Sequence, residues 1–142
     1  LKDKILSNYK HLISEDNVAA IKIDNFIVKF IDASGEAIAL RSQSAGQKQI
    51  AAISIFWALS KLSDRCLPLI IDTPLARLDA SNRKNVIQNY YANASNQVIV
   101  LPTDTEFSQR ELEFASDKIA GIYDITNDKD SRDSASIKLR RE

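Results

Sequence analysis

The stretch Leu67-Pro68-Leu69-Ile70-Ile71-Asp72-Thr73-Pro74-Leu75-Ala76-Arg77-Leu78-Asp79 decides how this chain folds. Residues 67–71 form an apolar run that ends on a carboxylate. Such a run is expected of a strand in the middle of a parallel sheet, covered on both faces. Helix signals resume at Asp79 to Ser81, with Val86, Ile87, Tyr90 and Tyr91 on the inner face. A second apolar strand is expected over 97–101. Strand, helix and strand at this spacing predict a βαβ unit with a right-handed crossover. Asp72 then stands at the carboxyl end of the first strand, where open α/β sheets bind ligands. A carboxylate there can hold Mg²⁺, directly or through water. An Asp that merely caps the loop after the strand is the other reading.

Upstream lies Gln43-Ser44-Ala45-Gly46-Gln47. Ser44 and Gln47 have the S-x-x-Q spacing of a capping box, so Ser44 is expected to start a helix. That helix should run from about Ala45 to Leu62. Ile50, Ile53, Ile55, Phe56, Trp57, Leu59 and Leu62 make it apolar almost all round, which predicts burial on most faces. A helix N-terminus presents free N–H groups and a positive dipole end, both suited to an anion. Gly46 would let the backbone approach a phosphate closely. An ordinary helix cap is the alternative. Lys48 either aids anion binding or is simply solvated.

The rest of the chain surrounds these two pieces. Ile5, Tyr9, Leu12 and Ile13 have helical spacing, so 1–13 reads as the end of a coiled-coil-type helix. Val18 to Ile23 and Phe26 to Ile31 read as strands, 33–36 as a turn, and Ala37 to Arg41 as a further short strand. Glu106 to Ala115 should be helical. Ile119 to Ile125 and Ala135 to Leu139 alternate as strands around a polar loop, Thr126 to Ser134. No internal repeat is visible, and 14–142 reads as one unit.

Composition narrows the function classes. The chain has 142 residues, 44% of them hydrophobic and 27% charged, which suits one globular domain with a real core. The formal net charge is zero, so there is no overall electrostatic case for nucleic-acid binding. Any such contact must come from a local patch or another segment. No apolar run approaches the ~20 residues of a membrane span. Cys66 is the only cysteine, which forbids an internal disulfide and fits a reducing cytoplasm. The chain has no methionine and begins at Leu1, so an excised fragment is expected. A phosphate-cradling Walker A loop ends in Gly-Lys-Ser/Thr. Gly35, Gly46 and Gly121 are the only glycines, and none precedes Lys-Ser or Lys-Thr. The phosphate-cradling half is expected elsewhere.

Three pieces occur in order: Ser44-Ala45-Gly46-Gln47 with its apolar helix, the run from Ile70 to Asp79, and Val98-Ile99-Val100-Leu101-Pro102-Thr103-Asp104. Together, from about Val18 onward, they resemble the C-terminal lobe of SMC-like ABC ATPases. Within that group the run Asp72-Thr73-Pro74-Leu75-Ala76-Arg77-Leu78-Asp79 and the pair Thr103-Asp104 are most similar to the DndD family of bacterial DNA phosphorothioate (sulfur) modification.

The resemblance implies an α/β fold: a three-layer ABC-ATPase C-terminal lobe, half of a P-loop NTPase-like head, with a small antiparallel β element. It implies ATP and Mg²⁺ as cofactors. Asp72 would be the Walker B magnesium ligand. Ser44, Ala45, Gly46 and Gln47 would bind the γ-phosphate held by an opposite head. Leu78 and Asp79 would form the D-loop. Arg77 would contact phosphate or the partner head, with a local salt bridge as the alternative. Thr103 would occupy the switch position and Asp104 would follow it. The implied partners are the Walker A lobe of the same protein, a second head as homodimer, DNA, and other DNA sulfur-modification proteins, with no membrane. Related DNA-repair or phage-defence ATPases, and an ATP-gated clamp with little hydrolysis, are the alternatives.

Two positions depart from the family pattern. Thr73 stands where most members carry a Glu that polarises the attacking water, and Thr103 replaces the usual switch histidine. Either hydrolysis is slow, or another carboxylate such as Asp104 or Glu106 serves. His11, the only histidine, reads as a surface or packing residue. Lys138, Arg140 and Arg141 form a small basic end that is either solvated or a DNA contact.

Overall fold

The computed structural model describes residues 1–15, 17–63, 67–73, 75–103, 105–127 and 135–140. Helix α1, Lys2–Leu12, buries Ile5, Asn8, Tyr9 and Leu12, the face its spacing predicts. It packs on α2, Ala45–Ser60. Between them the Asn8 side-chain amide donates to the Ser54 carbonyl at 3.3 Å. Strands β1, Ala20–Asp24, and β2, Ile27–Ile31, form an antiparallel hairpin. Its turn residues, Asn25 and Phe26, both have positive φ, 46° and 63°. Two left-handed residues match the twist of a tight two-residue hairpin. On the core side the Tyr9 and Phe30 rings lie 5.1 Å apart.

The turn at 33–36 is present, with Gly35 at φ +88°. The strand expected over Ala37 to Arg41 does not form. An isolated bridge joins Ile31 to Ala37, and Leu40–Ser42 is a 3₁₀ turn. The Ser42 amide and hydroxyl both donate to the Ala39 carbonyl, at 3.0 and 2.7 Å. Local bonds of this kind compete with strand pairing.

Helix α2 buries Ile50, Ala51, Ser54, Trp57 and Ala58. Burial on most faces is not what the structure shows. Phe56 and Leu59 are 53% and 50% exposed, and Leu62, past the helix end, is 60% exposed. The outer side of this helix has no cover among the described residues.

The βαβ unit is present. Strand β3, Leu69–Asp72, pairs in parallel with β4, Val98–Leu101, with Ile70 opposite Ile99 and Asp72 opposite Leu101. Leu69, Ile71 and Val98 pack toward the core, while Ile70, Ile99 and Leu101 are exposed. One face of this sheet is therefore bare among the described residues. Between the strands run α3, Ala80–Asn85, and a π-helical continuation, Val86–Tyr91. Val86, Ile87 and Tyr90 are buried as expected, and the Tyr90 ring meets Trp57 of α2 edge-on at 5.4 Å.

Helix α4, Gln109–Ala115, starts three residues after the expected Glu106. Strands β5, Tyr123–Asn127, and β6, Ala135–Leu139, form an antiparallel pair with Tyr123 opposite Leu139 and Ile125 opposite Ile137. Residues 128–134 of the expected loop lie outside the described residues, as do Cys66, Pro74 and Arg141. Among the described residues the strands pair as three separate two-stranded sheets, so the fold is mixed α/β with small sheets.

Candidate nucleotide site

The structure gathers the expected site residues into two groups. The first surrounds the start of α2. Ser44 is the N-cap, and its hydroxyl accepts the Gln47 N–H at 3.2 Å. The Gln47 side-chain oxygen accepts the Ser44 N–H at 2.8 Å. The predicted capping box is thus complete. It fixes the first turn, whose leading N–H groups have no intrahelical acceptor. Ser44 and Ala45 are exposed, while Gly46 and Gln47 are half-buried.

Gly46 does more than permit a ligand. A Cβ there would stand 2.8 Å from the Arg77 carbonyl oxygen and 3.7 Å from the Leu78 side chain. Only a glycine lets the start of α2 lie this close to the loop after β3. The fold therefore joins 44–47 directly to 77–79, two segments separated by a helix and a strand. Asp79 caps α3, accepting from the Asn82 backbone N–H at 2.9 Å and from its side-chain amide at 2.6 Å. The buried Asn82 in turn accepts the Ser14 N–H at 2.8 Å. Arg77 is exposed and has no ion-pair partner among the described residues.

The second group lies at the carboxyl ends of β3 and β4. Asp72 is the last residue of β3 and is exposed. Thr73 follows with its N–H on the Leu101 carbonyl at 3.1 Å and φ at 41°. A β-branched residue in that region is strained by about 1–3 kcal/mol. Thr103 is exposed on the loop after β4, while Asp104 lies outside the described residues.

Glu106 connects these two loops and is only 3% exposed. One of its oxygens accepts the Leu75 N–H at 3.0 Å. The other accepts the Thr103 N–H at 3.0 Å and the Thr103 hydroxyl at 3.2 Å. Burial works to raise the carboxyl, but the N–H groups of Thr103, Leu75 and Ala76 and the Thr103 hydroxyl outweigh it and hold it below its ordinary value. A carboxylate so engaged is a weak base, which removes much of the case for Glu106 as the water-activating group. Its bridging role was missed from sequence. The Thr103-x-x-Glu106 spacing of a capping box was the available signal. Nearby, the buried Tyr91 hydroxyl lacks a hydrogen-bond partner among the described residues. Burial first, then the charges of Tyr90 and Glu106, push its hydroxyl well up.

Among the described residues no cluster of three or more His, Cys, Asp or Glu could hold a metal. A single exposed carboxylate such as Asp72 nevertheless fits Mg²⁺, which keeps several waters and takes further oxygens from phosphates. Among the described residues no helix is long and apolar enough to cross a membrane.

No family model matches this chain, and no curated protein matches it. A solved structure does. It is described as "Structural biochemistry of ATP-driven dimerization and DNA stimulated activation of SMC ATPases" and matches with a TM-score of 0.63 at 16% identity. The match covers 98% of this chain and 84% of that one. At this identity the likeness is one of fold.

Proposed function

We propose that this chain is the signature and Walker B half of an SMC-like ATPase head. The observation that carries the proposal is the fold likeness over 98% of the chain to a structure described for SMC ATPases. That likeness is a matter of backbone course, so it is independent of the motif residues. In this reading Asp72 anchors Mg²⁺, whose chemistry is to offset phosphate charge. Ser44, Ala45, Gly46 and Gln47 present the start of α2 to the γ-phosphate of ATP held by a second head. Arg77 and Asp79 line the same approach. Thr73 and Thr103 take the water-facing and switch positions, with Asp104 beside them.

The Walker A lobe of the same protein is the first partner, and 1–13 is the end of the coiled-coil-type helix leading to this lobe. Joining the two lobes would extend the β3–β4 sheet and cover its bare face, giving the three-layer arrangement. A second head as homodimer, DNA, and DNA sulfur-modification proteins are the further partners, in the cytoplasm. The narrower assignment to phosphorothioate modification rests on the residue pattern at 72–79 and 103–104. A related DNA-repair or phage-defence ATPase has the same lobe chemistry. The threonines at 73 and 103 equally favour an ATP-gated clamp that turns over slowly, since neither side chain is a base at neutral pH.

The test is reconstitution with the Walker A lobe. This chain alone should show no Mg-ATP turnover, because the loop that supplies most phosphate contacts is not part of it. The assembled head should pair in an ATP-dependent way by light scattering, and Asp72→Asn should weaken magnesium-dependent nucleotide binding without unfolding the chain. Robust turnover by this chain alone, or nucleotide binding indifferent to Asp72→Asn, would overturn the proposal.

A further inference from the structure

Three stitches join the loops beyond β3 and β4. The Thr73 N–H donates to the Leu101 carbonyl at 3.1 Å, continuing the strand pairing by one residue. Past that point no further backbone pairing joins the two loops among the described residues, and Glu106 takes over. It holds the Leu75 N–H with one oxygen and the Thr103 N–H with the other, both at 3.0 Å. The Leu75 side chain is fully buried, so the amide beside it is poorly placed to find water instead. An unsatisfied buried donor costs about 1–3 kcal/mol. The bridge requires two acceptor oxygens on one group, spaced to reach two loops. An amide offers one acceptor, and an aspartate is one methylene shorter.

We propose that Glu106 is the positioning residue of this site: its carboxylate fixes Thr103 against the loop that follows Asp72 and so sets where the switch hydroxyl stands. The proposal rests on the reading of Asp72 and Thr103 as part of the nucleotide site. Glu106 then neither binds the cation nor takes a proton. It makes the two strand ends move as one body, and the Thr103 hydroxyl is aimed by the same oxygen that holds its backbone.

The experiment uses the head assembled from this chain and its Walker A lobe. Glu106→Gln keeps the shape but turns an N–H₂ donor toward one of the two backbone donors, releasing one loop. A displacement of about 1 Å in a catalytic site costs up to about 100-fold in rate. The expected result is therefore a fall in kcat of that order, with KM for ATP within about twofold of wild type. In the same sample, with this chain isotope-labelled, amide exchange should quicken at Leu75 or Thr103 and stay unchanged across α1 and α2. Glu106→Asp retains the charge, reaches only one loop, and should show the same split should the Gln variant fold poorly.

Faster exchange at Leu75 or Thr103 with an unchanged kcat would overturn the proposal, since the bridge would then be structural only. A rise in KM at constant kcat would overturn it as well. Asp72→Asn separates the premises. If it abolishes turnover while Glu106→Gln does not, the site stands and only the positioning role falls. If Asp72→Asn leaves turnover unchanged, the site is misassigned and the proposal falls with it.

Discussion

Gly46 and Thr73 occupy their positions for opposite reasons. Gly46 is where a side chain has no room: its missing Cβ would sit 2.8 Å from the Arg77 carbonyl oxygen. Replacing a helical glycine by alanine ordinarily gains about 1 kcal/mol in helix propensity. Here the neighbour is backbone and cannot swing aside, so the sign reverses. Gly46→Ala should destabilise the chain by about 1–3 kcal/mol, the usual cost of overpacking. Urea unfolding measures this, and a variant more stable than wild type would show that the contact is loose. Thr73, by contrast, holds a side chain where the backbone disfavours one, at φ 41°. Such strain persists only where the surroundings over-determine it. The bonds from Thr73 to Leu101 and from Leu75 to Glu106 supply that constraint on either side.

At the scale of elements, the helix starts are set by side chains within one turn. Ser44 with Gln47 caps α2, Asp79 caps α3, and Ser108 with Glu111 caps α4. Glu111 has a second duty. Buried to 7% exposure, it pairs with Arg83 of α3 at 3.9 Å and so ties α4 to α3. The Ser108 hydroxyl bond outweighs burial and, with the Ser108 and Glu111 N–H groups and Arg83, holds this carboxyl below its ordinary value of 4.5. A depressed carboxyl stabilises the fold above its unfolded value, and that contribution is lost as pH falls through the folded one. Glu106 is shifted in the same direction and adds to the effect. Stability should therefore decline as pH drops below 4.5. Glu111→Gln should cost about 1 kcal/mol at neutral pH, the worth of a helix cap, and should flatten part of the acid decline. Urea midpoints at neutral and acid pH check both. An acid decline unchanged in the variant would assign it to other groups.

At the scale of the whole molecule, α1 and α2 pack on each other, while the β3–β4 and β5–β6 pairs each show an apolar face uncovered among the described residues. Ile70 is 63% exposed and Ile99 41%, directly opposite each other on the bare face of β3–β4. Tyr123, Ile125, Ile137 and Leu139 form a second apolar face, each more than half exposed, on the β5–β6 pair. A parallel pair is ordinarily covered on both faces, and a lone hairpin is marginal in water. These surfaces fit a lobe that completes the sheet. Ile70→Lys should leave the chain's own stability within about 0.5 kcal/mol, as an exposed substitution does. It should also weaken association with the proposed Walker A lobe, measured by calorimetric titration. Equal affinity in wild type and variant would place the docking face elsewhere.

Elements whose causes are local were legible in the residues themselves. The Ser44–Gln47 box, the α1 stripe of Ile5, Tyr9 and Leu12, the strands β1, β2, β5 and β6 and the β3–α3–β4 unit all follow from spacing, caps and β-branched runs, which act within a few residues. Asp72 at the end of β3 was legible for the same reason. The strand expected over Ala37 to Arg41 failed because Ser42 bonds back to Ala39, a competition that composition does not weigh. The wide burial expected of α2 failed because apolar character states what a surface prefers, not whether this chain brings anything to cover it. Tertiary structure alone decided that Gly46 abuts Arg77, that Asn82 joins Asp79 to Ser14, and that Glu106 bridges Leu75 and Thr103. Each of these depends on segments distant in sequence arriving within hydrogen-bond or van der Waals distance, and no periodicity along the chain encodes a distance in space.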